Sequence, residues 1–121
     1  MEMYLGMSRE EANSEQNPNR GLFAGVGGQL KEKGTSHWKP PNTEANNETG
    51  FTALPGLSRS LEGNFLGIKG GKAYFWTATI HPGWQHIPAS YFRALSYSSP
   101  GISRVPLDSE GGISVRCIRD E

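Results

Sequence analysis

Two histidines and a tryptophan, His81, Trp84 and His86, crowd around Pro82-Gly83 and form the densest set of chemically capable side chains in this chain of 121 residues. A tryptophan between two polar rings in an exposed loop can stack on a sugar face or anchor an interface. Zinc would need further ligands, and His37 and the single cysteine, Cys117, belong to other segments. Surface histidines are the plain reading and ligand contact the sharper one. Tyr97 and Arg104, on the segments that follow, would add polar and charged contacts to the same surface.

Other motifs promise less. Gly25-Val26-Gly27-Gly28 and Gly67-Ile68-Lys69-Gly70-Gly71-Lys72 invite a phosphate, but a phosphate loop needs a glycine where Leu66 stands and a hydroxyl where Ala73 stands. Turn glycines with positive φ are the expectation for both. Asn46, Asn47 and Glu48 put three oxygen-bearing side chains beside Gly50 and could contribute to a calcium site, which takes six to eight oxygens. Asx turns that satisfy loop backbone explain the same residues more simply. No serine sits in a Gly-x-Ser-x-Gly elbow, and the carboxylates are scattered, so an enzyme is not expected. Cys117 lies on Gly112-Ile113-Ser114-Val115-Arg116-Cys117, where strand spacing places Ile113, Val115 and Cys117 on one inward face. Such a cysteine is either plain core or half of a disulfide whose partner lies elsewhere.

The elements that must position these groups are few. Residues 1 to about 15 read as helical, with Ser8 and Glu11 spaced as a capping box, although Gly6-Met7-Ser8 interrupts the pattern. A polar loop from Thr35 to Gly50 follows, anchored to the core by Trp38. Strands are expected at Phe51–Leu54, Tyr74–Ile80, Tyr91–Tyr97 and Ile102–Val105 and in the terminal segment, with turns at Pro82-Gly83, Ser99-Pro100-Gly101 and Glu110-Gly111-Gly112. Trp76 is assigned to the core.

Composition narrows the partners. Twelve basic residues balance twelve acidic ones, so no overall field draws nucleic acid. No apolar run approaches the roughly 20 residues that span a bilayer, and no leader is visible ahead of Gly6. Sixteen glycines and eight prolines among 121 residues indicate an ordered but loop-rich single domain.

Several blocks in order carry a resemblance: Gly28-Gln29-Leu30-Lys31-Glu32, Thr35-Ser36-His37-Trp38, Pro41-Asn42-Thr43, Asn46 through Gly56, Tyr74-Phe75-Trp76-Thr77-Ala78-Thr79, and Ser114-Val115-Arg116-Cys117-Ile118-Arg119-Asp120. Over nearly its whole length the chain resembles the Fibrobacter succinogenes major paralogous domain family. Members read Gly-Lys-Leu-Lys-Glu, Thr-His-Trp, Leu-Pro-Gly-Gly, Trp-Trp-Ser-Ser-Thr and Gly-Phe-Ser-Val-Arg-Cys at these places. Here Gly56-Leu57 replaces the paired glycine and Ile113 the late aromatic. Family members usually begin further upstream, with strands and a Cys-Pro-x-Gly-Trp block, so residues 1–121 are expected to be the C-terminal two-thirds of a larger domain.

The resemblance implies an α+β, C-type-lectin-like fold: an N-terminal helix, long irregular loops and a small antiparallel sheet from the C-terminal strands. It implies no catalytic residues, because the oxygen-activating cysteines of formylglycine-generating relatives have no counterpart beside Trp76 or Arg104. It makes Cys117 the surviving half of a pair, unpaired here, and Arg116 a structural hydrogen-bonding residue. It also implies a bacterial surface or secreted setting. The expected function is a non-catalytic module that recognises carbohydrate or another surface polymer through His81, Trp84, His86, Tyr97 and Arg104. A module for protein contact or homo-oligomerisation is the alternative. No cofactor is expected, with calcium at Asn46, Asn47 and Glu48 as the exception.

Overall fold

The computed structural model describes residues 1–84, 87–108 and 110–117, without the side chains of residues 83, 84 and 87. Two five-residue helices, α1 (Arg9–Asn13) and α2 (Val26–Leu30), precede five strands: β1 (Ser58–Arg59), β2 (Phe65–Leu66), β3 (Lys72–Trp84), β4 (Ile87–Ser96) and β5 (Ser99–Asp108). β3, β4 and β5 form an antiparallel meander with β4 in the centre, and β1 and β2 form a separate two-stranded ribbon. The protein is therefore mostly sheet, with short helices and long loops.

The helical expectation for residues 1 to 15 shrinks to α1. The capping box is present: the Glu11 amide donates to Ser8 Oγ, and the Glu11 carboxylate accepts from the Ser8 amide. The Ser8 amide and hydroxyl, both donating to this carboxylate, hold the Glu11 carboxyl below the usual carboxylate range. Ahead of the cap, Gly6 sits at φ 106°, a value that a helix cannot include. The glycines of α2 have two different roles. Gly25 caps the helix in the left-handed region at φ 63°. Gly27 and Gly28 are helical, so their reason is space and not the expected positive φ. A Cβ would lie 2.0 Å from the Gly101 carbonyl oxygen at Gly27, and 2.3 Å from that of Glu44 at Gly28.

Register places Ala73, Phe75, His81, Ala89, Tyr91, Arg93, Leu95, Arg104 and Pro106 on one sheet face, and Tyr74, Trp76, Ile80, Phe92, Ala94, Val105 and Leu107 on the other. The first face covers a compact core of Met7, Val26, Leu30, Trp38, Ala53, Ala73, Leu95 and Ile102. Trp38 is fully buried, and its indole N–H donates to the Ala53 carbonyl at 3.0 Å, which anchors the polar loop as expected. Trp76 is only half-buried, on the opposite face, so it is not a core residue.

Among the described residues two cations are fully buried. Arg20 is fully buried, and its guanidinium donates to the carbonyls of Glu11 (2.8 Å), Ala12 (2.9 Å) and Ile102 (3.2 Å) and to the Glu2 carboxylate (2.9 Å). Lys31 is equally buried, and its Nζ donates to the carbonyls of Thr43 (2.9 Å), Ser96 (2.9 Å) and Ser99 (3.1 Å). Three acceptors match the three N–H bonds of an ammonium. Burial nevertheless pulls the Lys31 amine down to about 8, with the Glu44 carboxylate opposing the shift.

The strands outrun their expected limits. β3 continues through Pro82-Gly83 to Trp84, which pairs with Ile87. A proline is tolerated there because β3 is an edge strand and its register shifts between His81 and Trp84. Likewise β5 takes in Pro100 and Pro106, and the β4–β5 turn falls at Tyr97-Ser98 instead of Ser99-Pro100-Gly101. Phe51–Leu54 is not a strand; it contributes one bridge, Ala53 to Lys31.

The terminal strand is also corrected. Gly112 bridges Arg59 and Ser114 bridges Phe75, so the segment crosses from the ribbon to the β3 edge without a continuous ladder. Val115 and Cys117 are consequently exposed, and Cys117 is a free thiol. Arg116 Nη2 donates to the Phe51 carbonyl at 3.2 Å, in keeping with a structural hydrogen bond. Ile118, Arg119 and Asp120 lie outside the described residues.

Candidate functional site

The residues singled out from the sequence fall in three places. His81 is in β3, half-buried, with its ring 5.3 Å from the Tyr91 ring in an edge-to-face arrangement. The Arg104 guanidinium lies 3.8 Å from the centre of the same Tyr91 ring. Arg104 Nη1 also donates to the Asn13 carbonyl (3.2 Å) and the Glu15 carboxylate (3.4 Å). Tyr91 itself is buried, and its hydroxyl donates to Glu15, a bond that raises its pKa. The structure thus joins His81 and Arg104 through a residue absent from the sequence-based set.

Tyr97 does not join them. Ala89, the partner of His81, lies eight positions before Tyr97 along the same chain segment, about 27 Å away at strand spacing. Tyr97 sits in the turn at the other end of the sheet, with Lys39 Nζ 5.5 Å from its ring centre. Trp84 is placed only as a β3 backbone position, and His86 lies outside the described residues.

Asn46, Asn47 and Glu48 form the turns expected of their types. Asn46 Oδ1 accepts the Glu48 amide at 3.0 Å, and Asn47 Oδ1 accepts the Thr52 amide at 2.8 Å. Asn47 Nδ2 donates to Thr52 Oγ1 at 2.9 Å, and its backbone occupies the left-handed region at φ 53°. Both amide oxygens are therefore engaged with backbone donors. Among the described residues no group of three or more His, Cys, Asp or Glu is placed to hold a metal.

A better-formed site lies on the outer sheet face. Tyr74 and Phe92 meet edge to face at 5.9 Å, and Trp76 meets Phe92 in the same way at 6.3 Å. Tyr74 and Phe92 line a groove of about 370 Å³ between the meander and the β1–β2 ribbon. Ser58, Arg59, Ser60 and Glu62 of the ribbon segment, with Asp108 at the end of β5, supply its polar walls. The Arg59 backbone exchanges two hydrogen bonds with Gly112, and its Nε donates to the Gly63 carbonyl, so the ribbon is tied to the sheet. Burial raises the Tyr74 phenol above its ordinary pKa, and its hydroxyl is a donor at neutral pH, as any phenol is. The sequence offered one signal for this face: Tyr74, Trp76 and Phe92 lie opposite the inward residues at strand spacing. Nothing local in the sequence indicated that the ribbon would fold over it.

A second, more apolar cavity of about 510 Å³ opens on the inner side, between the β3 edge, Phe51 and the Val115-Arg116 segment. Phe51 and Phe75 meet edge to face at 5.6 Å in its wall. No helix among the described residues is long and apolar enough to cross a membrane.

Fold and grooves together define a small, mostly antiparallel domain that builds recesses between a three-stranded meander and its loops. The chain belongs to the Fibrobacter succinogenes major domain family, whose model matches residues 1–119. No curated protein and no solved structure matches the chain.

Proposed function

We propose that this chain is a non-catalytic binding module of a bacterial surface or secreted protein, with a C-type-lectin-like variant of the sheet fold, and that it recognises carbohydrate or another surface polymer. The observation that carries the reading is the outer groove, with two aromatic rings on its floor and serine, carboxylate and guanidinium groups on its walls. Sugars present apolar C–H faces and a rim of hydroxyls. An aromatic floor with mixed donors and acceptors complements both. The groove also falls inside the volume range usual for small-ligand sites.

A glycan array followed by calorimetry tests the assignment. Phe92→Ala and the wall variant Asp108→Asn are expected to weaken the best glycan at least about tenfold, which corresponds to about 1.4 kcal/mol. Trp84→Ala reports on the hairpin end of the sheet. Loss of binding in Trp84→Ala with full binding in the groove variants would move the site to the His81 surface. Absence of any glycan signal in the intact chain would reject carbohydrate.

A specific observation favours a second reading, assembly. Leu57, Leu61, Phe65, Leu66 and Ile68 are all 40% or more exposed on and around the ribbon. Such a cluster suits a protein interface. Light scattering separates the two: an oligomer that Phe65→Asp dissociates supports assembly, and a monomer supports ligand binding.

A further inference from the structure

We infer that the inner cavity is a second binding site, independent of the outer groove, which takes a small apolar molecule ending in a carboxylate. Its volume of about 510 Å³ lies within the range of ligand sites, and its deep wall is Leu30, Leu95 and Ile102, each 2–3% exposed. An aliphatic or aromatic body is what this lining would desolvate favourably.

The polar features of the cavity define the other end of the ligand. Arg93 and Arg116 both line it. Arg93 Nε and Nη2 face the Glu2 carboxylate, whereas Nη1 is buried and has no acceptor among the described residues. A buried donor without an acceptor is uncommon and costly. Arg116 stacks 5.1 Å from the Phe51 ring centre, with its exposed head at the cavity mouth beside Val115. Glu2 does not neutralise this end, because it is shared between Arg93 and the fully buried Arg20. Arg93 thus shares its carboxylate with Arg20, and no ion pair to Arg116 is present among the described residues. A ligand carboxylate at the mouth would supply a counter-charge to Arg116, and guanidinium groups hold carboxylates with charge-assisted, geometrically matched bonds. A neutral ligand of the same shape would forgo the pairing with Arg116.

Calorimetry and methyl NMR on the intact chain test this with decanoate and 1-decanol as probes. Decanoate is expected to bind at least tenfold more tightly than the alcohol, with shifts at the methyl groups of Leu30, Leu95 and Ile102. Arg116 is exposed, so Arg116→Gln should fold, and it is expected to reduce the preference for the acid severalfold. Val115→Trp, at another exposed position, should obstruct the mouth and weaken decanoate at least tenfold. Equal affinity for acid and alcohol would overturn the anionic assignment. No saturable decanoate binding at about 1 mM, the weak end of specific recognition, would overturn the site. Shifts confined to Leu57 and Leu66 would also overturn it, because they place the probe on the ribbon.

Discussion

Replacing Lys31 by methionine keeps the aliphatic stem and removes the group that holds three chain segments together. The ammonium donates to Thr43, Ser96 and Ser99, so the substitution deletes three charge-assisted bonds and strips three carbonyls of this donor. At about 1.5–3 kcal/mol each these bonds contribute about 4–9 kcal/mol together. Moving the cation out of water opposes them: a pKa drawn from 10.5 to about 8 corresponds to about 3 kcal/mol. The net loss expected for Lys31→Met is therefore about 1–6 kcal/mol, a large part of a domain's total stability at the upper end. Urea unfolding followed by tryptophan fluorescence, to which the buried Trp38, its ring centre 5.6 Å from Lys31 Nζ, contributes, reads this loss. The midpoint should fall by about 0.5–3 M at a typical slope of about 2 kcal/mol per M of urea.

The same residue makes a second, signed prediction. In the unfolded chain the amine keeps its proton to about 10.4, whereas in the folded chain it releases it near 8. Between these values the unfolded state holds more protons, so the Lys31 contribution to stability rises with pH. The gap between the parent and Lys31→Met should widen by up to about 2 kcal/mol from pH 8 to pH 9.5. A midpoint unchanged by the substitution would refute the stapling role. A gap that narrows with pH would refute the burial argument and leave the hydrogen bonds dominant.

Other outcomes follow from the same geometry. Burial raises the Glu2 carboxyl, but its bonds to Arg93 and Arg20 outweigh this and hold it below the ordinary value, so its contribution is present above about pH 4.5 and lost as pH falls through the lowered value. Glu2→Gln should cost about 3 kcal/mol at neutral pH and flatten the acid limb of a stability–pH curve; an unchanged acid limb would remove Glu2 as its source. Gly27→Ala should destabilise by at least about 1–3 kcal/mol, the scale of overpacking, because its Cβ would fall 2.0 Å from the Gly101 carbonyl oxygen; thermal melts check this. Cys117 is exposed, so it should react with a thiol reagent in the native protein at nearly the rate seen in urea. Strong native protection would restore the inward-facing strand.

Local patterns survived well in this sequence. The Ser8–Glu11 cap, the aromatic and β-branched run at Tyr74–Ile80 and the alternation at Tyr91–Tyr97 all appear where spacing placed them. Their limits did not, because tertiary pairing carried β3 and β5 through prolines that read as turns. The loop anchor Trp38 was legible from its isolation among polar neighbours. Lys31 was not: beside Gln29 and Glu32 it looks solvated, and only the return of residues 96–99 reveals its three acceptors. The outer groove was half legible. Its aromatic floor follows strand spacing, but its walls depend on how Gly112 ties the ribbon down. Cys117 misled for the same reason, since alternation alone assumes a ladder that the last segment does not form.

The internal cations also bear on how quickly this chain can reach its structure. Lys31 reaches carbonyls 65 and 68 residues away, Arg20 one 82 residues away, and Arg93 bonds Glu2 across 91 positions. None of these contacts can form until both ends of the chain have come together, and each must wait for a long loop to close. Refolding should therefore be slow for a domain of this length, in the millisecond-to-second range of chains dominated by non-local pairings. A collapsed species without its cation locks would leave Arg20 and Lys31 hydrated, so their dehydration becomes a late step on the way to the native state.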